Sequence, residues 1–283
     1  MKTEHTIHFQ DSRDLSNIPD NSVELIITSP PYWDRKDYGH EDQIGHNQSY
    51  EEYLNDLECV WAECYRILHP GCKMCVNIGD YYCSTKSHGR YKIKAIEADI
   101  IFACENYGFD LISRIIWQKI CRCNPSGGCN MMGSIYYPRN GIPKLDFEHI
   151  LIFKKLGKGP IISKEIKEQS KLTLKEWTEY FTGHWKFPGT RNKDHPASFP
   201  LELPKRLIKM FSFVGEKVFD PFVGSGITSL AALLLKRNSI GCEINKKEYW
   251  TVIKKKFGLF YYHPDYKFEI KDREMSVIRS KKR

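Results

Sequence analysis

The chain has 283 residues, 41% of them hydrophobic and 28% charged, a balance that excludes a mainly disordered protein and a small disulfide-stapled one. No apolar stretch approaches the roughly 20 residues of a bilayer span, and Met1–Gln10 is too polar for a signal peptide; a membrane or exported protein is excluded and a cytoplasmic one expected. The net charge of +8 is unevenly spread: residues 1–119 carry 12 Lys and Arg against 19 Asp and Glu, residues 120–283 carry 31 against 16. The second half reads as a polyanion-binding surface or as a solvated basic face.

In chain order, short apolar runs predict buried strands at Val23–Thr28, Met74–Ile78, Leu111–Trp117, Ile150–Phe153, Val218–Phe219 and Ser239–Cys242. Helical spacing of Tyr53, Leu57, Val60, Trp61, Cys64 and Leu68 predicts a helix over Ser49–Leu68, stopped by Pro70–Gly71. Further helices are expected at Glu97–Asn106 and Ser225–Lys236. Strands alternating with helices predict an α/β domain with a mostly parallel, doubly wound sheet. Residues 120–146, with four Gly and three Pro, read as a long loop or hairpin. Residues 154–194 are Lys-rich, with Trp177, Tyr180, Phe181, Trp185 and Phe187 interleaved: either a surface for phosphates and stacked bases, or a small core under a solvated face. The tail from Lys271 to Arg283 reads as a charged, frayed end.

The ten cysteines do not form a disulfide framework in a reducing compartment. Cys72 and Cys75 make one C-x-x-C, but no second pair completes a four-ligand zinc set. The cysteines are read as free thiols and no metal is expected.

Two loops carry chemistry. Thr28-Ser29-Pro30-Pro31-Tyr32-Trp33 follows the strand Val23–Thr28, and in open parallel sheets ligands sit beyond the carboxyl ends of strands. Two prolines remove two donors, which leaves carbonyl oxygens and a hydroxyl to accept from an exocyclic amino group and an aromatic ring to stack on its base. Asp220-Pro221-Phe222-Val223-Gly224-Ser225-Gly226 also follows a strand and opens a helix. Its glycines permit close approach of a ligand to the backbone, and Glu243 ends the next strand at the spacing of a ribose-binding acid. No Gly-Lys-Ser/Thr is present, so a phosphate-gripping P-loop is not expected.

Together these loops resemble the beta-class, S-adenosylmethionine-dependent amino-group DNA methyltransferases, in which the catalytic motif precedes the cofactor motif. Phe9-Gln10-Asp11-Ser12, Ile18–Val23, Asn77-Ile78-Gly79-Asp80, Ile116-Trp117-Gln118-Lys119 and His195-Pro196-Ala197-Ser198-Phe199-Pro200 extend the resemblance over residues 5–155 and 185–257. It implies a Rossmann-like, seven-stranded, mostly parallel sheet with one antiparallel strand and a circularly permuted motif order. In that sheet Val218–Asp220 lies between Ser239–Glu243 and Val23–Thr28, and an N-terminal strand lies beside Ser239–Glu243. It divides the chain into a catalytic half (1–153), a small inserted target-recognition element (154–194, with loop 120–146), a cofactor-binding half (195–260) and a basic tail (261–283).

The resemblance also assigns roles. Ser29, Pro30, Pro31 and Tyr32 form the catalytic loop; Ser29 Oγ and the Pro30 carbonyl hold the amino group and Tyr32 stacks on the base. Asp220, Phe222, Gly224, Ser225 and Gly226 surround the methionine part of S-adenosylmethionine. Glu243 takes the ribose hydroxyls, Asp11 the adenine amino group and Ser198 the methionine carboxylate, with His195 either structural or part of that cofactor segment and Trp33 lining the base pocket or packing. Double-stranded DNA is the implied substrate, with the target base flipped out; a homodimer and a separately acting restriction endonuclease are the further partners considered. Ser29 favours cytosine N4 over adenine N6. Methylation at cytosine C5 is not expected, because no Pro-Cys dipeptide occurs. An RNA methyltransferase and a non-catalytic nucleic-acid binder are the remaining alternatives.

Overall fold

A computed structural model describes residues 2–119, 132–133, 137–143, 145–189, 199–258 and 266–272. One nine-stranded sheet organises them. Its strands are β1 (Thr3–Phe9), β2 (Val23–Thr28), β3 (Leu68–Ile78), β4 (Phe109–Lys119), β5 (Phe147–Lys155), β6 (His184–Phe187), β7 (Lys217–Asp220), β8 (Asn238–Glu243) and β9 (Tyr266–Asp272). The spatial order is β6-β4-β5-β3-β2-β7-β8-β1-β9. Only β5 runs antiparallel to its neighbours, β3 and β4. The Rossmann-like core of seven strands is therefore present with its one antiparallel strand. β7 lies between β2 and β8, and β1 lies beside β8, as the family resemblance implied. Edge strands β6 and β9 extend the expected seven to nine.

Helices cover both faces. Alternate residues of β3 and β5 point to opposite sides, as strand geometry requires. Met74, Val76, Ile78, Leu151 and Phe153 join α1 (Tyr50–Ile67) and α2 (Ile96–Asn106) in one core. Cys75, Ile150 and Ile152 join α5 (Glu202–Phe211) and α6 (Ile227–Leu234) in another. A third cluster packs α7 (Lys246–Gly258) against Ile7 and Phe9 of β1.

Helix α1 starts where its sequence says it should. Ser49 accepts from the Glu52 N–H at 3.2 Å, and the Glu52 carboxylate accepts from the Ser49 N–H at 2.8 Å, a reciprocal cap that satisfies two end donors. The other end differs from the sequence reading: Pro70–Gly71 do not stop the helix. It ends at Ile67, and Leu68 already begins β3. At that end the buried Lys155 ammonium, 87 residues from Leu68, donates to the carbonyls of Tyr65 (2.6 Å) and Leu68 (2.8 Å), where the helix is negative.

The basic, aromatic stretch is anchored to the domain. It forms α3 (Lys164–Gln169), α4 (Leu174–Tyr180) and β6. Trp185 and Phe187 of β6 are core residues, and the Trp117 indole donates to the Phe187 carbonyl at 3.1 Å. Arg206 of α5 lies over the rings of Tyr180, Trp185 and Phe187 and pairs with Glu179 and Glu202. Trp177 and Phe181 are exposed and stack on each other, centroids 4.2 Å apart. The core reading holds for Trp185 and Phe187, while Trp177 and Phe181 stay on the surface. Within 120–146, Met132–Gly133 pairs antiparallel with Gly141–Ile142. Lys271 and Asp272 belong to β9, parallel to β1, and are not part of a frayed end.

No helix among the described residues is long and apolar enough to cross a membrane. The cysteines described are free; burial pushes the Cys72 and Cys75 thiols up to about 12, which keeps them protonated.

Candidate active site

The two motif loops meet at the carboxyl ends of β2 and β7. Thr28, the last residue of β2, donates to Asp220 Oδ1 at 2.8 Å, a bond between residues 192 positions apart. Thr228, in the first turn of α6, donates to Oδ2 at 2.6 Å, and the Phe222 N–H to Oδ1 at 3.0 Å. Burial pushes the Asp220 carboxyl up to about 6, opposed by these three donors.

One strand over, Glu243 closes β8. Its Oε2 accepts from the Gly224 N–H and its Oε1 from the Asn245 N–H, both at 3.0 Å. Burial pushes this carboxyl up to about 7, against the backbone donors. Between the two acids the loop turns into α6 at Gly226, whose φ of +81° favours glycine; a Cβ there would stand 2.9 Å from Phe257. The buried Ser225 hydroxyl accepts from Lys256 at 2.7 Å, so its side chain ties the loop to α7. The end of β1 lies over this loop: the Gln10 N–H donates to the Glu243 carbonyl at 3.0 Å, and Ser12 Oγ donates to the Pro221 carbonyl. Asp11 between them is held by Arg13 through the Arg13 N–H and Nε, each at 2.9 Å, and Arg13 bridges on to Asp56. Ser198 and His195 lie outside the described residues.

In the other loop, Tyr32 is fixed through its phenol oxygen. Ser29 and the Gly79 N–H donate to it, and it donates to Glu148. Burial first, then the Glu148 charge, raise the phenol well above its ordinary range, while Ser29 and Gly79 oppose the shift. The ring lies so close to Gly79 that a Cβ there would stand 3.3 Å from Tyr32 Cε2 and 3.1 Å from Glu148 Cγ. Glu148 in turn accepts from Asn77 Nδ2 at 2.8 Å and pairs with Lys119. The prolines do not leave two carbonyls free. Tyr53 donates to the Pro31 carbonyl at 2.7 Å, whereas no described residue donates to the Pro30 carbonyl. Trp33 packs: it is buried against Tyr50 and Tyr81 and donates to the Gln48 carbonyl at 2.9 Å.

The structure therefore gathers Ser29, Pro30, Tyr32, Asp220, Phe222, Gly224, Gly226 and Glu243 along one edge of the sheet, with Asp11 beside them. Sequence reasoning missed Glu148 and Asn245, and it gave Asn77 and Lys119 no role. A signal existed for Glu148, an acidic residue opening the apolar run His149–Phe153. Asn245 could have been found as the cap of α7, where its Oδ1 accepts from the Glu248 N–H at 3.0 Å.

The family profile described as DNA methylase matches residues 23–255. The chain belongs to the DNA methylase family. The methylase is 36% identical over 290 residues to the type II methyltransferase M.MjaI of Methanocaldococcus jannaschii, covering 92% of this chain and 93% of that one. It is 29% identical to M.MthZI of Methanothermobacter thermautotrophicus, covering 99% and 90%. Among solved structures, a Thermus thermophilus protein described as a putative DNA modification methylase, in complex with S-adenosyl-L-methionine, superposes with a TM-score of 0.78. It shares 34% identity, over 96% of this chain and 100% of that one. The cytosine-N4-specific PvuII DNA methyltransferase has the same fold, with a TM-score of 0.65 and 20% identity over 91% and 87% of the two chains.

The methylase is an S-adenosylmethionine-dependent DNA methyltransferase of the amino-methylase family. Its residues fit that cofactor. Both Glu243 oxygens accept backbone N–H groups and keep acceptor capacity for a hydroxyl.

Proposed function

We propose that this methylase modifies the N4 amino group of a cytosine flipped out of double-stranded DNA, as the modification enzyme of a restriction-modification system. The observation that carries the reading is Ser29, hydrogen-bonded to Tyr32 and one residue from the Thr28–Asp220 link to the cofactor loop. The relatives named as type II methyltransferases support the biological setting.

S-adenosylmethionine supplies an electrophilic, sulfonium-bound methyl group, so the protein's task is position and electrostatics. An exocyclic amino nitrogen is a poor nucleophile while its lone pair is delocalised into the ring. Ser29 spends its proton on Tyr32, which leaves its oxygen lone pairs to accept one amino hydrogen; the Pro30 carbonyl accepts the other. The two acceptors turn the nitrogen lone pair out of the ring plane, toward the cofactor side. Tyr32, locked by Glu148 and Gly79, offers its face to the base. Glu243 receives the ribose hydroxyls and Asp11 the adenine amino group, with Asp220 stiffening the loop around the methionine part. Residues 154–194, with the loop 120–146, read the target sequence; the exposed Trp177–Phe181 pair among lysines supports this.

The test is methyl transfer to unmethylated duplex DNA, followed by digestion to nucleosides and mass spectrometry. N4-methylcytosine is expected. N6-methyladenine would show that Ser29 does not choose the base, since both amino groups ask for the same acceptors, and would leave the rest of the mechanism standing. A mark at cytosine C5, or a methyl group accepted only by RNA, would overturn the proposal.

A further inference from the structure

On the helical side of the Tyr32 platform lies a cluster that neither the motifs nor the proposed chemistry uses. Asp80 follows the end of β3, Glu97 stands in the first turn of α2, and His149 lies on β5, paired with Ile78. One ligand atom from each lies within 4.8 Å of the others. Asp80 Oδ1, Glu97 Oε2 and His149 Nδ1 are all buried, and none has a hydrogen-bond partner. The His149 side chain is 8% exposed overall. Among the described residues, neither acid is in an ion pair.

Two carboxyl groups and an imidazole buried within ligand distance of one another are costly unless a shared proton or a positive ion joins them. The positive end of α2 compensates one carboxylate in its first turn and leaves the second. Burial, then a hydrogen bond with Glu97 and the Glu97 charge, push the Asp80 carboxyl up to about 7, as expected of two acids crowded together.

We propose that Asp80, Glu97 and His149 form a binding site for a divalent transition-metal ion of the manganese or zinc type. One imidazole nitrogen and two carboxylate oxygens suit these ions better than magnesium or calcium, which prefer all-oxygen sets. Binding would draw the ligand atoms in to about 2.0–2.2 Å from the ion, with water completing the coordination. The site's place in the fold gives it a positioning role. Gly79, which donates to the Tyr32 phenol and lies against its ring, is the residue before Asp80. A metal on Asp80 pins the Gly79–Asp80 turn to α2 and β5, and so stiffens the platform under Tyr32 without touching the reacting atoms.

Manganese is the probe, because the many thiols of this chain compete for zinc. Mn²⁺ titrated into metal-free, full-length protein should give one bound ion per chain by electron paramagnetic resonance, and a Tm rise of roughly 5 °C at a hundredfold excess over Kd. Asp80→Asn and His149→Gln should each abolish both signals while S-adenosylmethionine still binds, which reports an intact fold. Glu97→Gln is the second carboxylate variant, for use if Asp80→Asn fails to fold. Absence of saturable Mn²⁺ binding in the wild type would overturn the proposal, leaving a cluster that holds only a shared proton. Undiminished binding in the folded variants would overturn it too, by moving the ion elsewhere.

Discussion

The two halves of the active site solve the same problem, holding polar groups still inside a protein, in different ways. On the cofactor side the held groups are the Asp220 and Glu243 carboxylates, and most donors lie within twenty residues: backbone N–H groups of Phe222, Gly224 and Asn245, and the Thr228 hydroxyl. On the base side the held group is the Tyr32 phenol, and its partners come from β3, β5 and the end of β4 through Gly79, Glu148, Asn77 and Lys119. The Asp220–Gly226 loop and the first turn of α6 therefore specify the Asp220 end, and Glu243 joins them from the next strand in the chain, β8. The base side exists only once three strands have paired. Thr28, donating to Asp220, joins the two.

This division can be broken one side at a time. The largest effect is expected from Glu243→Ala: weaker S-adenosylmethionine binding by roughly 10- to 150-fold, from the loss of hydrogen bonds to a charged acceptor worth about 1.5–3 kcal/mol. Unchanged affinity by calorimetry would remove Glu243 from the ribose site. Tyr32→Ala should do the converse, keeping cofactor affinity while lowering methyl transfer by the worth of base stacking, about 1–3 kcal/mol. Equal losses of binding and transfer would instead point to damage to the fold.

A subtler separation uses pH. Burial raises the Glu243 carboxyl to about 7, and a raised carboxyl adds stability that is fully present below its ordinary value near 4.5 and is lost as pH rises through 7. The deprotonated form is the one that accepts two ribose hydroxyls. Between pH 5 and 8, therefore, cofactor affinity should rise with pH, and the Glu243 contribution to apo-protein stability should fall. Both trends should flatten in Glu243→Gln, measured against wild type so that the buried histidines His5 and His8 cancel. Trends of the same sign would refute the assignment. The smallest effect belongs to the joining bond: Thr28→Val should cost about 0.5–1.5 kcal/mol, shared between cofactor affinity and transfer rate. A change in only one of them would show that Asp220 does not couple the loops.

Much of this arrangement was written locally. The strand Val23–Thr28, the capped start of α1 at Ser49, and the turn at Gly226 all follow from apolar periodicity, a side chain that caps its own helix, or a φ that favours glycine; each needs only residues close in the chain. The Ser-Pro-Pro-Tyr and Asp220–Gly226 loops are legible for the same reason, and their joint resemblance to the amino-group DNA methyltransferases adds the cofactor and the class of reaction. What the tertiary structure alone decided are the partners that arrive from afar. Lys155 takes up carbonyls at the end of α1. Tyr53 occupies the Pro31 carbonyl. Glu148 and Lys119 lock Tyr32, and Asp80, Glu97 and His149 converge from a strand end, a helix and another strand. Buried polar groups must find partners wherever the packed chain brings them, and neither composition nor spacing records which distant residue that will be.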